Sequence, residues 1–181
     1  SDEVTLRGRD HIVGLNLTGL VEPFTDHQQA IDAINDQGGL AILAHPNWSA
    51  FGLERCLGLH RYAAVEILNV VCSFLEYNGF ALQYWDQLLR SGVRVWGVAA
   101  DDAHRIPYQG GKAWVVVNAD QLTPEDVLTN LKAGNFYSST GPHFQKFEVV
   151  GDTIKVWCSP AIEIRFMTGD PNPASRARGD A

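Results

Sequence analysis

The chain has 181 residues, 45% of them hydrophobic, enough apolar material to bury one sizeable core and carry an appendage. Its 14 basic residues stand against 21 acidic ones, a net charge of −7, and no Lys/Arg run occurs. That balance argues against nucleic acid or an anionic membrane as the main partner, and no apolar stretch approaches the ~20 residues of a membrane span. A phosphorylated substrate stays compatible with the acidic balance, because bound metal ions reverse the sign of a local field.

Residues 2–17 read as a strand, a polar turn and a second strand from His11 to Leu17, with Glu3 and His11 flanking the turn. Each of the two, taken alone, reads as an ordinary surface residue. A helix is expected over 26–37, with Asp26 as N-cap and an apolar stripe of Ala30, Ile31, Ala33 and Ile34. Gly38-Gly39 ends it, and His27 is expected to be solvated in its first turn. Leu40 to Ala44 is then a short all-apolar strand that halts at His45-Pro46. Pro46 removes an N–H and restricts His45 to extended geometry. A His at the end of a buried strand is either a metal ligand or a side chain satisfied by a backbone carbonyl.

A short helix follows over 52–59, with His60 as a polar loop residue. Ala63 to Val70 is the next strand, interrupted by Glu66, a candidate ligand that better suits a supporting or barrel-interior role, and with Asn69 near its end. A helix over 79–90 places Trp85, Leu88 and Leu89 inward and stops at Gly92. It leads into VRVWGVAADDAHR, a buried strand over 93–100 that ends in Asp101, Asp102, Ala103 and His104. An Asp and a His two apart on an extended backbone project to one side. Together they supply half of a divalent-metal site, or else a carboxylate orienting a surface His.

A strand over 113–119 and a helix from Thr123-Pro124-Glu125 to Lys132, capped by Gly134, continue the alternation. Helix and strand alternating with short apolar strands indicate parallel βα units, whose C-terminal strand ends carry the chemistry. His45, Asp102 and His104 all lie at such ends. Beyond residue 142 the texture changes to short alternating segments over 144–150, 153–158 and 162–167, an antiparallel β appendage with a loose tail. The expected domains are therefore 1–142 and 143–181. Cys56, Cys72 and Cys158, odd in number and widely spaced, read as free thiols. They favour a reducing compartment, cytoplasmic by default, although the localisation is left open. Oligomeric state is not legible.

The segments LAILAHPNW, VEILN, VWGVAADDAH and GNFYSSTGP, in this order, resemble the PHP (polymerase and histidinol phosphatase) superfamily, and more closely its phosphoesterase-like hydrolases, over about residues 1–167. The resemblance implies an α/β chain forming part of a distorted (βα)7-type barrel, with the small C-terminal antiparallel appendage. It implies two or three divalent metals (Zn, Mn or Fe). Carried over by motif, the metal ligands are His45 of His-Pro, Asp102 and His104 of Asp-x-His, and Glu3 and His11 of the mid-chain Glu and His. Asp102 and His104, with Arg105 beside them, are the expected catalytic residues. The family's His-x-His is missing, so the chain is expected to be a piece of a longer protein that begins after the first barrel strands. The implied activity is hydrolysis of a small-molecule ester, foremost a phosphoester, by a metal-activated water. The rivals are a metal-dependent carboxylic or carbamic ester hydrolase and an inactive metal-binding or scaffold domain.

Overall fold

The computed structural model describes residues 1–6, 8–21 and 26–168, and the backbone of 175–178. The chain separates into two compact units, Ser1–Ser138 and Ser139–Ala181.

The first unit is built on a five-stranded sheet in the order β1 (Asp2–Thr5), β2 (His11–Leu15), β3 (Leu40–Leu43), β4 (Ala64–Asn69) and β5 (Trp96–Ala100). The short link between β1 and β2 forces an antiparallel pair, and β2 also runs antiparallel to β3. From β3 through β5 the strands are parallel. Helices fill the connections: α1 (His27–Asp36) before β3, α2 (Leu53–Gly58) before β4, and α3 (Val70–Glu76) with α4 (Leu82–Arg90) before β5.

Because strand side chains alternate, the sheet buries two faces. One packs Ile12, Leu43, Val65 and Val95 against Ile31 and Ile34 of α1 and Leu88 of α4. The other packs Leu40, Ile42, Ala64 and Val98 against Val115, Leu128, Leu131 and Phe136, from β6 (Trp114–Val117), α5 (Pro124–Ala133) and β7 (Phe136–Ser139). The capping signals act as their chemistry dictates. The side chains of Asp26 and Thr123 accept from the N–H groups of Gln29 and Asp126, and Gly134 takes the left-handed conformation that ends α5.

The (βα)7-type barrel does not form. Among the described residues the sheet is mixed and open, since closure needs every strand to have two neighbours and β1 and β5 have one each. The strand expected as the next parallel neighbour is β6, which instead pairs with β7 in a separate ladder. Further corrections are local. VVCSFLE, whose first residue reads as strand, forms α3, because the Asn69 side chain accepts from the Cys72 N–H (3.0 Å) and starts a helix at the strand's last residue. Leu89 is 43% exposed rather than inward.

The second unit holds two antiparallel pairs, β8 (Phe144–Val150) with β9 (Thr153–Cys158), and β10 (Glu163–Phe166) with β11 (Ser175–Arg178). The tail expected to be loose thus contributes a strand. The rest of it, 169–174 and 179–181, lies outside the described residues.

All three cysteines are free, with Cys56 and Cys72 buried. Burial pushes the Cys56 thiol up to about 11. Burial, with the charges of Asp102 and Glu66, pushes Cys72 up to about 12. Iodoacetamide at pH 8 is therefore expected to label the native protein at Cys158 alone, with the other two reacting only on denaturation, as peptide mass mapping would read. Rapid native labelling of Cys72 would contradict the packing around α3.

Candidate metal centre

The antiparallel pairing of β2 with β3 decides where the site lies. Ile12 pairs with Leu43, so His11, the first residue of β2, sits beside the last residues of β3, and the Ala44 N–H donates to its carbonyl. His11 and His45, 34 residues apart, thereby meet at one end of the sheet. Glu3 on β1 pairs with Val13, two residues along from His11 and on its face, the diagonal relation at which long side chains touch.

The three form a tight cluster. His11 Nδ1 lies 2.8 Å from Glu3 Oε1 and 3.1 Å from His45 Nε2, which is 3.4 Å from Glu3 Oε1. Bonds of ~2.0–2.1 Å to one tetrahedral cation set its ligand atoms ~3.3 Å apart. The triangle is already that size. Two imidazole nitrogens and one carboxylate oxygen are a donor set suited to zinc or a similar divalent ion, so the residues present fit such an ion.

His45 is held from three sides. Its N–H donates to Glu66 Oε2 at 2.9 Å, in the buried interior. The geometry before Pro46 is not extended: φ is 27°, and the bond to this buried carboxylate outweighs the local preference. The Ser49 hydroxyl donates to the Arg9 carbonyl at 2.7 Å. It therefore accepts from His45 Nδ1–H at 3.0 Å, so that Nε2, facing Glu3 and His11, is the nitrogen left bare when the ring is neutral.

Charge is tuned to match. The hydrogen bond with His45, aided by the charges of His11 and His45, holds the Glu3 carboxyl below its ordinary value against partial burial. Burial works to depress the pKa of His45, but the Glu3 hydrogen bond and the carboxylates of Glu66, Glu3 and Asp102 outweigh it and leave that pKa raised. Burial raises Glu66, offset in part by its bonds from Asn69 and the His45 N–H. Such a carboxylate-rich pocket favours a cation.

Asp102, His104 and Arg105 line the same cleft, a cavity of about 420 Å³. Among the described residues the three-ligand cluster consists of Glu3, His11 and His45, without Asp102 or His104. The extended geometry expected for Asp-x-His does not occur: Asp102 has φ 53°, which turns the chain. His104, 67% exposed in its side chain, folds its Nδ1 onto the Asp102 carbonyl at 2.7 Å, and is 3.7 Å from Oδ1. Asp102 Oδ2 instead accepts from Asn69 Nδ2 at 3.2 Å, and the same amide donates to Glu66 Oε2 at 3.1 Å. One buried amide thus ties Asp102 to the carboxylate that anchors His45.

No family model matches the sequence, and no curated protein is significantly similar to it. The site's chemistry rests on its own geometry.

Several residues that shape the cleft carry no ligand motif. The Asp101 carboxylate accepts from the N–H groups of Gly111, Lys112 and Ala113, closing the loop that bears His104 and Arg105. Those bonds hold its carboxyl below the ordinary range despite slight burial. Gln109 Oε1 accepts from the N–H groups of His104 and Arg105 at 2.8 and 2.7 Å. The doubled acid of DDAH was the available signal for Asp101; for Gln109 and Ser49 there was none. His27, expected to be solvated, is instead 2.9 Å from Asp10 Oδ2, which Arg55 also contacts at 2.7 Å. Asp10 is buried, and a buried carboxylate is stabilised by accepting hydrogen bonds from both partners.

Proposed function

We propose that this protein is a metal-dependent hydrolase, related to the PHP superfamily, that cleaves a small-molecule phosphoester with a metal-activated water. The observation that supports this most is the Glu3–His11–His45 triangle, sized for one divalent ion and opening into a cleft that Arg105 also lines. A bound divalent ion supplies a water of lowered pKa and neutralises charge on an ester oxygen. The protein's own groups do the rest. Arg105 pairs with a non-bridging phosphoester oxygen. Asp102, steadied by Asn69, adds a carboxylate to the cleft lining. His104, its Nδ1–H held by the Asp102 carbonyl, would use its other ring nitrogen to take a proton from the attacking water and hand it to the leaving group.

A second reading, hydrolysis of a carboxylic or carbamic ester, is favoured by the apolar part of the lining, Trp48, Val71 and Leu75. Turnover of p-nitrophenyl phosphate, its diester and p-nitrophenyl acetate, before and after chelation and metal addition, separates the two. Chelation is expected to remove activity and Zn or Mn to restore it. Arg105→Ala is expected to raise KM for the phosphoester by roughly 10- to 100-fold, the worth of a charge-assisted hydrogen bond. It should leave a neutral ester unaffected. Activity indifferent to chelation would refute metal dependence. An acetate rate well above both phosphoester rates would move the assignment to the second reading.

A further inference from the structure

Building on the ester-hydrolase reading, we infer that the substrate is bipartite, with an aromatic group seated on Trp48 between Val71 and Leu75 while its anionic ester head faces Glu3, His11 and His45. The cleft lining offers both kinds of surface: the ligand-type groups Glu3, His11 and His45 with Arg105, and the apolar side chains of Trp48, Val71 and Leu75.

Trp48 is built as a fixed surface. The Arg9 guanidinium lies over its ring, 4.8 Å from the centroid, and that guanidinium is itself paired with Glu76 at 3.1 Å. The His45 ring meets the indole edge to face, centroids 4.9 Å apart at 79°. A ring held from both directions loses little entropy when another ring packs on it. Leu75, which also lines the cleft, is 69% exposed, an apolar side chain with water as its present neighbour. Covering it with an apolar group removes that cost.

The spacing narrows the class. Trp48 touches the ring of a ligand residue, so a group resting on it joins the ester head directly and not through a long linker. Val71 and Leu75 carry no hydrogen-bonding side chain for sugar hydroxyls, which points to an aryl ester over a glycosyl one. A cleft of about 420 Å³ lies toward the small end of ligand pockets, in keeping with one small aromatic ester.

Phenylphosphonate and methylphosphonate share a charge and a bond that resists hydrolysis, so calorimetric titration of each into the metal-loaded protein tests the wall apart from turnover. Phenylphosphonate is expected to bind on the order of tenfold or more tighter, from ring burial and aromatic packing. Trp48→Ala should bring the two affinities close together, while Trp48→Phe retains most of the preference. Leu75→Ser, at an exposed position, should narrow the gap without a folding defect. Equal affinities in the unmodified protein, a preference that survives both Trp48→Ala and Leu75→Ser, or no phenylphosphonate binding at millimolar concentration would each overturn the inference. Loss of the hydrolase reading has a different signature, absence of metal-dependent turnover, and leaves the ratio of phosphonate affinities readable.

Discussion

Replacing His45 by alanine is expected to abolish stoichiometric divalent-metal binding at the proposed centre and, with it, the proposed hydrolysis. His45 Nε2 is one corner of the three-atom cluster, and its Nδ1 is committed to Ser49. Removing the ring leaves Glu3 and His11, two ligands for an ion that needs at least three from the protein. Loss of a residue that merely orients a ligand costs roughly 10–100-fold in metal affinity; Ser49→Ala belongs in that range, and His45→Ala falls beyond it. The fold should survive, because the residue is anchored to Glu66 through its backbone N–H, which alanine keeps. Metal content by mass spectrometry, with a thermal melt as control, reads both. A His45→Ala protein that keeps one equivalent of tightly bound metal, with an unaltered melt, would refute the centre as drawn.

Asn69→Leu is expected to be the most damaging near-isosteric change in the unit. Asn69 is fully buried, and its amide donates to Glu66 and Asp102 while its carbonyl oxygen caps α3. Leucine removes the cap, worth about 1 kcal/mol. It also strips a donor from a buried carboxylate, roughly another 1–3 kcal/mol. The chain folds back tightly here: the Asn69 N–H donates to the Gly79 carbonyl, and a Cβ at Gly79 would run into the Asn69 carbonyl, so there is little room to relax. Denaturant unfolding should therefore show a loss of about 2–4 kcal/mol, with the proposed hydrolysis weakened alongside as Asp102 loses its tether. A loss under about 1 kcal/mol would mean that water replaces the amide and that the Glu66–Asn69–Asp102 link carries no strain-bearing role.

Much of the local structure was legible because it depends on neighbours in sequence. Alternation and apolar runs marked β3, β4 and β5 as parallel strands, and Asp26, Thr123 and Gly134 marked helix ends, since a cap acts within one turn. His45 was legible as a strand-end histidine for the same reason. Glu3 and His11 were indicated only by resemblance to a family motif. What brings them to His45 is the long-range pairing of β2 with β3, whose register no local pattern encodes, with β1 carried along by its hairpin to β2.

By itself, then, the sequence marked β3, β4 and β5 and the capped ends of α1 and α5, and it showed no long apolar span, because these follow from propensity, capping and composition. Tertiary structure alone decided the rest. It left the sheet mixed and open, because β2 runs against β3 and β6 pairs with β7. It also turned Asp102 and His45 into left-handed and near-left-handed conformations, against the extended geometry their neighbours favour. Hydrogen bonds to buried carboxylates and amides, worth more than a local φ/ψ preference where water is excluded, set those conformations, and their partners lie 21 residues away for His45 and 33 for Asp102.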